Sequence, residues 1–320
     1  MTPLYLKAYN TGKLKKTTEK LWQLLKCCCL CPRKCKVNRL KDERGYCKTG
    51  FSAGVYSYMP HHGEEPPISG SRGSGTIFFS HCNMRCVYCE NYKFSQVDTK
   101  TQDATVEELA NIMLKLQKLS CHNINFVTPT HVIPQILKAL MIAIEEGLTI
   151  PLVYNSSGYE LPEVIRLLDG IIDIYLPDLR YASDEMAIKY SNAPNYSFYS
   201  KNSIKEMYRQ TGIAKFNEEG LITGGVIIRH LVLPNNISGT KEIMEFIAKE
   251  ISQETYISLM SQYLPCYKAS DFPELNRRIS RKEYENAYVA MSSAGLYNGW
   301  IQEEYGQEEL AGINLPPSVK

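Results

Sequence analysis

The chain has 320 residues, 44% of them hydrophobic and 22% charged, enough to bury a sizeable core and to exclude a largely disordered protein. Lys and Arg total 36 against 34 Asp and Glu, a formal charge of +2, which excludes a strongly basic nucleic-acid-binding class and gives no support to a nucleic-acid partner. The uneven feature is cysteine: 11 residues, with a dense run of them from Cys27 to Cys89.

The start, MTPLYLKAYNTGKLKK, lacks the apolar stretch of a secretory signal, and no run of uncharged apolar residues is long enough to span a membrane. A cytoplasmic chain without a membrane partner is therefore expected, its cysteines serving as thiolate ligands and not as a disulfide scaffold. Residues 1–26 are basic and mildly helical, with Trp22, Leu24 and Leu25 available to pack. Residues 27–47 hold the first cysteine group. Residues 48–75 run through HHGEEPP and GSRGSG and read as turn and loop. GTIFFS (75–80) is a short apolar strand. Val106, Leu109, Ile112, Met113, Leu116 and Leu119 recur near helical spacing over 105–119. INFV (124–127) is a strand, 132–146 a helix, PLVYN (151–155) a strand, and 161–170 a helix stopped by Gly170. A strand over 171–179 follows, then helices over 184–191 and 201–212, a strand over 225–233, a helix near 240–250, a strand over 255–263 and a late helix over 280–295.

Six continuously apolar strands with mostly helical crossovers favour a parallel sheet covered by helices. Their order alone does not separate an open doubly wound sheet from an incomplete barrel. The spacing divides the chain into a cysteine-rich extension (1–70), an α/β body (71–268) and a helical C-terminal rim segment (269–320). The extension is too short and irregular to be an ordinary independent domain, so a metal centre or the core must hold it.

Cys82, Cys86 and Cys89 form C-x3-C-x2-C directly after the first strand, where parallel sheets place their sites. Three thiolates this close can cap an iron–sulfur cluster, leaving one iron of a four-iron cluster open to a small molecule; with a distant fourth ligand they can instead close a zinc site. CNMRCVYC resembles the cluster loop of the radical S-adenosylmethionine (SAM) superfamily. LCPRKCKVNR, HHGEEPPISG, GSGTIFFSHCNMRCVYCENY, FVTPTHVIPQI and MSQYLP are similar to the pyruvate formate-lyase activating-enzyme-like subfamily, over roughly residues 28–295.

The resemblance implies an incomplete six-stranded parallel (β/α)6 barrel with a cysteine-rich N-terminal extension. It also implies a 4Fe-4S cluster on Cys82, Cys86 and Cys89 whose open iron binds the amino and carboxylate groups of SAM. Tyr88 falls beside the adenine. Thr128 and Thr130 lie in TPTH, where the wider superfamily often carries an acidic GGEP; this sequence departs from that pattern, leaving the threonines, His131 or the backbone to bind the amino group. Asn155, Ser156 and Ser157 offer polar side chains for the ribose or the methionyl carboxylate, or make a turn into the next helix. Asp178 and Arg180 in YLPDLRY sit where related activating enzymes place an acidic residue and a lysine; the bland reading is a strand-end ion pair. Arg229, within an apolar strand, needs a partner: a cofactor carboxylate or ribose, or a buried ion pair. His230 points to the other face. Gln262 and Tyr263 end the sixth strand near the adenine or the substrate mouth.

The implied reaction is one-electron reduction of the cluster, cleavage of SAM to methionine and a 5′-deoxyadenosyl radical, and hydrogen abstraction from a substrate carbon. The donor would be a flavodoxin or ferredoxin, and the substrate a glycine Cα of a glycyl-radical protein. The alternatives are radical modification of a small molecule or another protein, and a zinc-bound interaction or scaffold protein. Cys28, Cys31, Cys35 and Cys47, spaced C-x2-C-x3-C-x11-C, can hold a second iron–sulfur cluster or zinc, or remain reactive thiols. His61, His62, Glu64 and Glu65 in HHGEEP can bind a metal, line the substrate entrance or form an exposed turn. Cys121 and Cys266 read as packed thiols.

Overall fold

The computed structural model describes residues 2–97, 102–302 and 314. Helices α1 (Leu4–Asn10) and α2 (Lys13–Gln23) precede strand β1 (Ala53–His61), helix α3 (Pro66–Ser69), β2 (Ser74–Phe79), α4 (Tyr92–Ser95) and β3 (Gln102–Ala104). Regular alternation follows: α5 (Val106–Lys118), β4 (Ile124–Val127), α6 (Ile133–Glu145), β5 (Leu152–Ser156), α7 (Pro162–Leu167) and β6 (Ile174–Pro177). Beyond these lie α8 (Asp184–Ser191), α9 (Tyr196–Thr211), β7 (Lys215–Phe216), β8 (Ile222–Leu231), α10 (Thr240–Glu250), β9 (Tyr256–Met260), α11 (Arg281–Ser293) and β10 (Gly299–Ile301).

The result is an α/β fold built on one mixed sheet in the order β10-β9-β8-β6-β5-β4-β2-β1-β3, with β7 paired to β8. All six expected strands are present and run parallel. The six-strand count is corrected at both ends. β10 adds a seventh parallel strand beside β9. It comes from the segment expected to be helical, and its three residues are too few to show a period. At the other edge β1 pairs antiparallel with both β2 and β3, inside the stretch expected to be irregular. Val55, Tyr56 and Tyr58 favour a strand, but Gly54 and Pro60 disguise it. Pro60 is tolerated because β3 pairs only with Ala53–Val55, leaving that stretch of β1 on the sheet edge. The helix expected over 201–212 starts earlier, at Tyr196. The expected rim segment beyond 302, apart from Asn314, lies outside the described residues.

Alternation sorts the strands into two faces. Tyr154, Tyr175 and Ile228 face the large core under the helices. Val153, Ile174, Leu176 and Ile227 face a smaller inner cluster with Ile68 of α3. Burial on both faces explains why these strands read as continuous apolar runs. The basic N-terminus is docked: the Leu4 N–H donates to Asp173 Oδ1 (2.7 Å) and the Tyr5 hydroxyl to the Ile150 carbonyl (2.9 Å). Among the described residues no helix is long and apolar enough to cross a membrane.

Candidate functional site

The inner face turns polar where the parallel strands end. Two residues past Val153 stands Asn155; two past Leu176, Asp178; two past Ile227, Arg229. The strands place them side by side, since Asp178 bridges to Arg229 and its N–H reaches the Ser156 carbonyl (2.8 Å). Arg229 is paired three ways: Nε donates to Asp178 Oδ1 (2.8 Å), Nη2 to Asn155 Oδ1 (2.6 Å), and Nη1 to Glu64 Oε2 (3.2 Å). Glu64 also accepts from Asn125 Nδ2 (2.9 Å) and Asn155 Nδ2 (3.2 Å). Arg180 completes the network, holding Asp178 Oδ2 through Nε (3.0 Å) and Nη2 (2.5 Å) and reaching Cys86 Sγ through Nη1 (3.3 Å). A line of charge therefore runs from a thiol of the cysteine loop to the mouth of the sheet. Burial alone would raise the Asp178 carboxyl, but Arg229 and Arg180 override it and hold it below the usual range. Glu64 is raised by burial, against the opposing pull of Arg229. Glu90, beside Cys89, is pushed up to about 7 by burial, partly offset by Arg180 and Arg229.

The cysteine loop follows β2 and is clamped by backbone bonds from the Arg85 N–H to the Ser191 carbonyl (3.0 Å) and from the Val87 N–H to the Tyr190 carbonyl (2.9 Å). Asn83 Nδ2 adds a bond to the Tyr159 carbonyl (2.7 Å). Each thiol has a polar neighbour. The Met84 N–H donates to Cys82 Sγ (3.4 Å), Ser191 Oγ donates to Cys86 Sγ (3.1 Å), and Ser95 Oγ stands 3.2 Å from Cys89 Sγ. Burial pushes the Cys82 and Cys89 thiols up, to about 11 and about 12. Thiolate coordination to iron removes that proton outright. Three soft donors, Cys86 buried and Cys82 and Cys89 half-buried, with polar groups against each sulfur suit an iron–sulfur cluster. Among the described residues no three His, Cys, Asp or Glu donors meet around a single-ion position.

Among buried polar atoms without partners, Ser157 Oγ lies just past the end of β5, where a polar cofactor would fit; Asn125 Oδ1 lies inside β4 and Glu65 Oε2 at the start of α3. Asn155, Asp178 and Arg229 thus come together as one network. Thr130 joins another: its hydroxyl donates to Glu160 Oε1 (2.5 Å), and the Tyr154 hydroxyl donates to Glu160 Oε2 (3.2 Å). Burial pushes Glu160 up to about 8. Thr128 is half-buried at the end of β4. His131 is a tie: Nε2 meets the Ser80 carbonyl (2.8 Å), and its own carbonyl accepts from Arg39 Nη1 (2.7 Å). Tyr88 is buried edge-on to Tyr263, and its hydroxyl stands 2.5 Å from that of Tyr181, which meets Ser191 Oγ (2.7 Å). Tyr88 is thereby wired to Cys86 through two hydroxyls. Gln262 is exposed and accepts from Gln302 Nε2 (2.7 Å). His230 does face away, toward the Leu179 carbonyl and Thr240 Oγ1.

Two readings of HHGEEP are corrected. It is not an exposed turn, because Glu65 is buried and Glu64 turns inward onto Arg229. Nor do its residues gather as metal donors among the described residues. Cys121 is buried and Cys266 half-buried, with the Cys266 thiol donating to the Tyr88 carbonyl (3.5 Å). Sequence reasoning did not single out Glu90, Glu160 or Ser191. Glu90 stands next to Cys89 and Glu160 follows the strand-end Asn-Ser-Ser, but no motif lies beside Ser191, at the end of α8.

A family profile described as the radical SAM superfamily matches residues 76–247. The chain is similar to uncharacterized protein MJ0674 of Methanocaldococcus jannaschii, 34% identical over 273 residues, which span 82% of this chain and 74% of that protein. Uncharacterized protein MJ0808 of the same organism is 24% identical over 267 residues, spanning 77% of this chain and 73% of that protein. Among solved structures, the [FeFe]-hydrogenase maturase HydG superimposes with a TM-score of 0.48 at 14% identity, over 70% of this chain and 50% of its own length. TYW1 with a lysine-pyruvate adduct gives 0.46 at 14% identity, over 72% and 78%.

Proposed function

Because this chain belongs to the radical SAM superfamily, we propose that it is an activating enzyme whose target is a glycine of a partner protein. Radical SAM chemistry, the reductive cleavage of the cofactor's sulfonium to start hydrogen abstraction from a substrate carbon, is what a cluster and SAM supply when bound. The residues of this chain do the holding. Cys82, Cys86 and Cys89 would ligate the four-iron cluster. Arg180 fixes the Cys86 sulfur and is itself fixed by Asp178. Arg229 presents a guanidinium at the strand mouth, suited to the methionyl carboxylate, with Asn155 and Ser157 beside it for the ribose. Thr128 and the backbone after β4 would take the amino group, and Tyr88 backs the cysteine loop. Gln262, exposed at the end of the sixth strand, would meet the adenine or the substrate at the mouth. No general base is required, and water must be kept out of the site.

The observation that carries this reading is the unbroken line Cys86–Arg180–Asp178–Arg229–Glu64, which joins the cluster loop to the strand ends. The resemblance of the flanking motifs to activating enzymes supports a glycyl-radical target, and a flavodoxin or ferredoxin would supply the electron. Anaerobic reconstitution should give cluster-bound protein that forms 5′-deoxyadenosine only with reductant, and C86A should form none. A well-loaded wild type that never cleaves SAM would overturn the enzyme reading. Oxygen-dependent scission of a candidate partner at one glycine tests the target.

A further inference from the structure

The N-terminal cysteines lie apart from the loop just described, and the structure gathers them. Cys28, Cys31, Cys35 and Cys47 all line one small cavity. The chain turns back on itself to do this: the Cys28 N–H bonds to the Val37 carbonyl (2.9 Å), and the Lys36 N–H bonds to the Cys28 carbonyl (3.0 Å). Lys34 and Lys36, on either side of Cys35, both take left-handed backbone (φ 41° and 60°). Gly45 crosses directly over Cys35; a Cβ there would stand 2.7 Å from Cys35 Cβ and 2.8 Å from its sulfur. The next residue, Tyr46, donates its N–H to Cys35 Sγ (3.3 Å), as Met84 does to Cys82.

Charge gives a second, independent observation. Arg39 is 1% exposed and lines the same cavity. Two of its nitrogens are satisfied, Nε by the Gly50 carbonyl (2.9 Å) and Nη1 by the His131 carbonyl (2.7 Å). Nη2 is buried without a partner, and the guanidinium sits beside Cys28. A buried cation with an unused donor among four thiols calls for an anion there. A cluster on four thiolates is such an anion. It also reaches its ligands across a wider span than one ion does.

The two cysteine groups are wired together. Arg85, next to Cys86, donates from Nη2 to the Tyr46 carbonyl, next to Cys47 (2.6 Å). Arg33, between Cys31 and Cys35, donates from Nε to the Asn83 carbonyl, next to Cys82 (2.9 Å). Each group is one hydrogen bond and two residues from the other.

We propose that Cys28, Cys31, Cys35 and Cys47 ligate a second iron–sulfur cluster in electronic contact with the first. The site stands whatever the substrate of the proposed reaction. It is tested on the full chain carrying C82A/C86A/C89A, reconstituted anaerobically. This variant should retain iron and acid-labile sulfide in near-equal numbers, about two or four of each per chain. Absence of iron, or stoichiometric zinc in its place, overturns the site. The converse variant C28S/C31S/C35S/C47S should lose that same increment relative to wild type. If it aggregates, C35S alone should lower it. The reduced wild type should give an electron paramagnetic resonance spectrum that is not the sum of the two variants' spectra; a simple sum overturns the contact. A wild type that holds both clusters yet forms no 5′-deoxyadenosine would defeat the enzymatic reading and leave this site intact.

Discussion

Asp178 is the hinge of the charge network, and D178N isolates its contribution. Both carboxylate oxygens are in use, one on Arg229 and one on Arg180. Asparagine removes the charge and one of the two acceptors. Arg229 keeps Glu64 and Asn155. With the remaining amide oxygen on Arg229, Arg180 keeps only the Cys86 sulfur, and the loss falls on that guanidinium. Breaking a buried pair by removing one partner costs about 3–5 kcal/mol. Because Arg229 retains other partners, the expected cost is at the lower end, about 3 kcal/mol at pH 7. R180M removes the orphaned cation while Asp178 stays paired to Arg229. The double variant D178N/R180M should therefore be less destabilised than the sum of the singles, with a coupling of about 1.5–3 kcal/mol. Anaerobic urea denaturation followed by circular dichroism measures all four corners of the cycle. The sign with pH is set by the lowered carboxyl: its stabilisation is complete above the unfolded value of 3.8 and is lost as pH falls through the lower folded value. The gap between wild type and D178N should accordingly hold from neutral pH down to that region and close below it. A cost for D178N under about 1 kcal/mol, or strictly additive singles, would refute the coupled network.

His230 is buried and held neutral, its imidazole pushed down to about 4 by burial. Its contribution is present above the unfolded value of 6.5 and lost as pH falls through 4, about 3 kcal/mol in all. H230Q should flatten that acid-side slope in denaturation curves between pH 7 and 4, and an unchanged slope would count against it. Gly158, at φ +76°, would place a Cβ 2.2 Å from the Asp178 carbonyl oxygen. G158A should cost about 2–4 kcal/mol and weaken SAM binding by displacing Asp178, readable by calorimetric titration; normal stability with normal binding would show that the loop yields freely.

The six parallel strands were legible because double-sided burial wrote each one as an apolar run. β1 and β10 were not: one hides its Val and Tyr residues between Gly54 and Pro60, and the other is three residues long. The strand-end residues Asn155, Asp178 and Arg229 were legible singly, since a polar group closing an apolar strand stands out. Their assembly was not, because Glu64 and Arg229 are separated by 165 residues and no local pattern records such a pair. The threonines of TPTH show the opposite limit. Their place after β4 was readable, but Thr130 turns to Glu160, a partner that only the folded chain brings near.

The clamp on Cys86 also has a consequence in time. Arg180 and Ser191 follow that cysteine by 94 and 105 residues. At synthesis rates of about 5–20 residues per second, the thiols leave the ribosome roughly 5–20 s before the groups that restrain them exist. During that interval the nascent loop is an unguarded trithiol, open to oxidants and stray metals. The loop is therefore restrained only once the chain beyond β6 and helix α8 have been made, so its cysteines depend on the reducing conditions around the nascent chain until then.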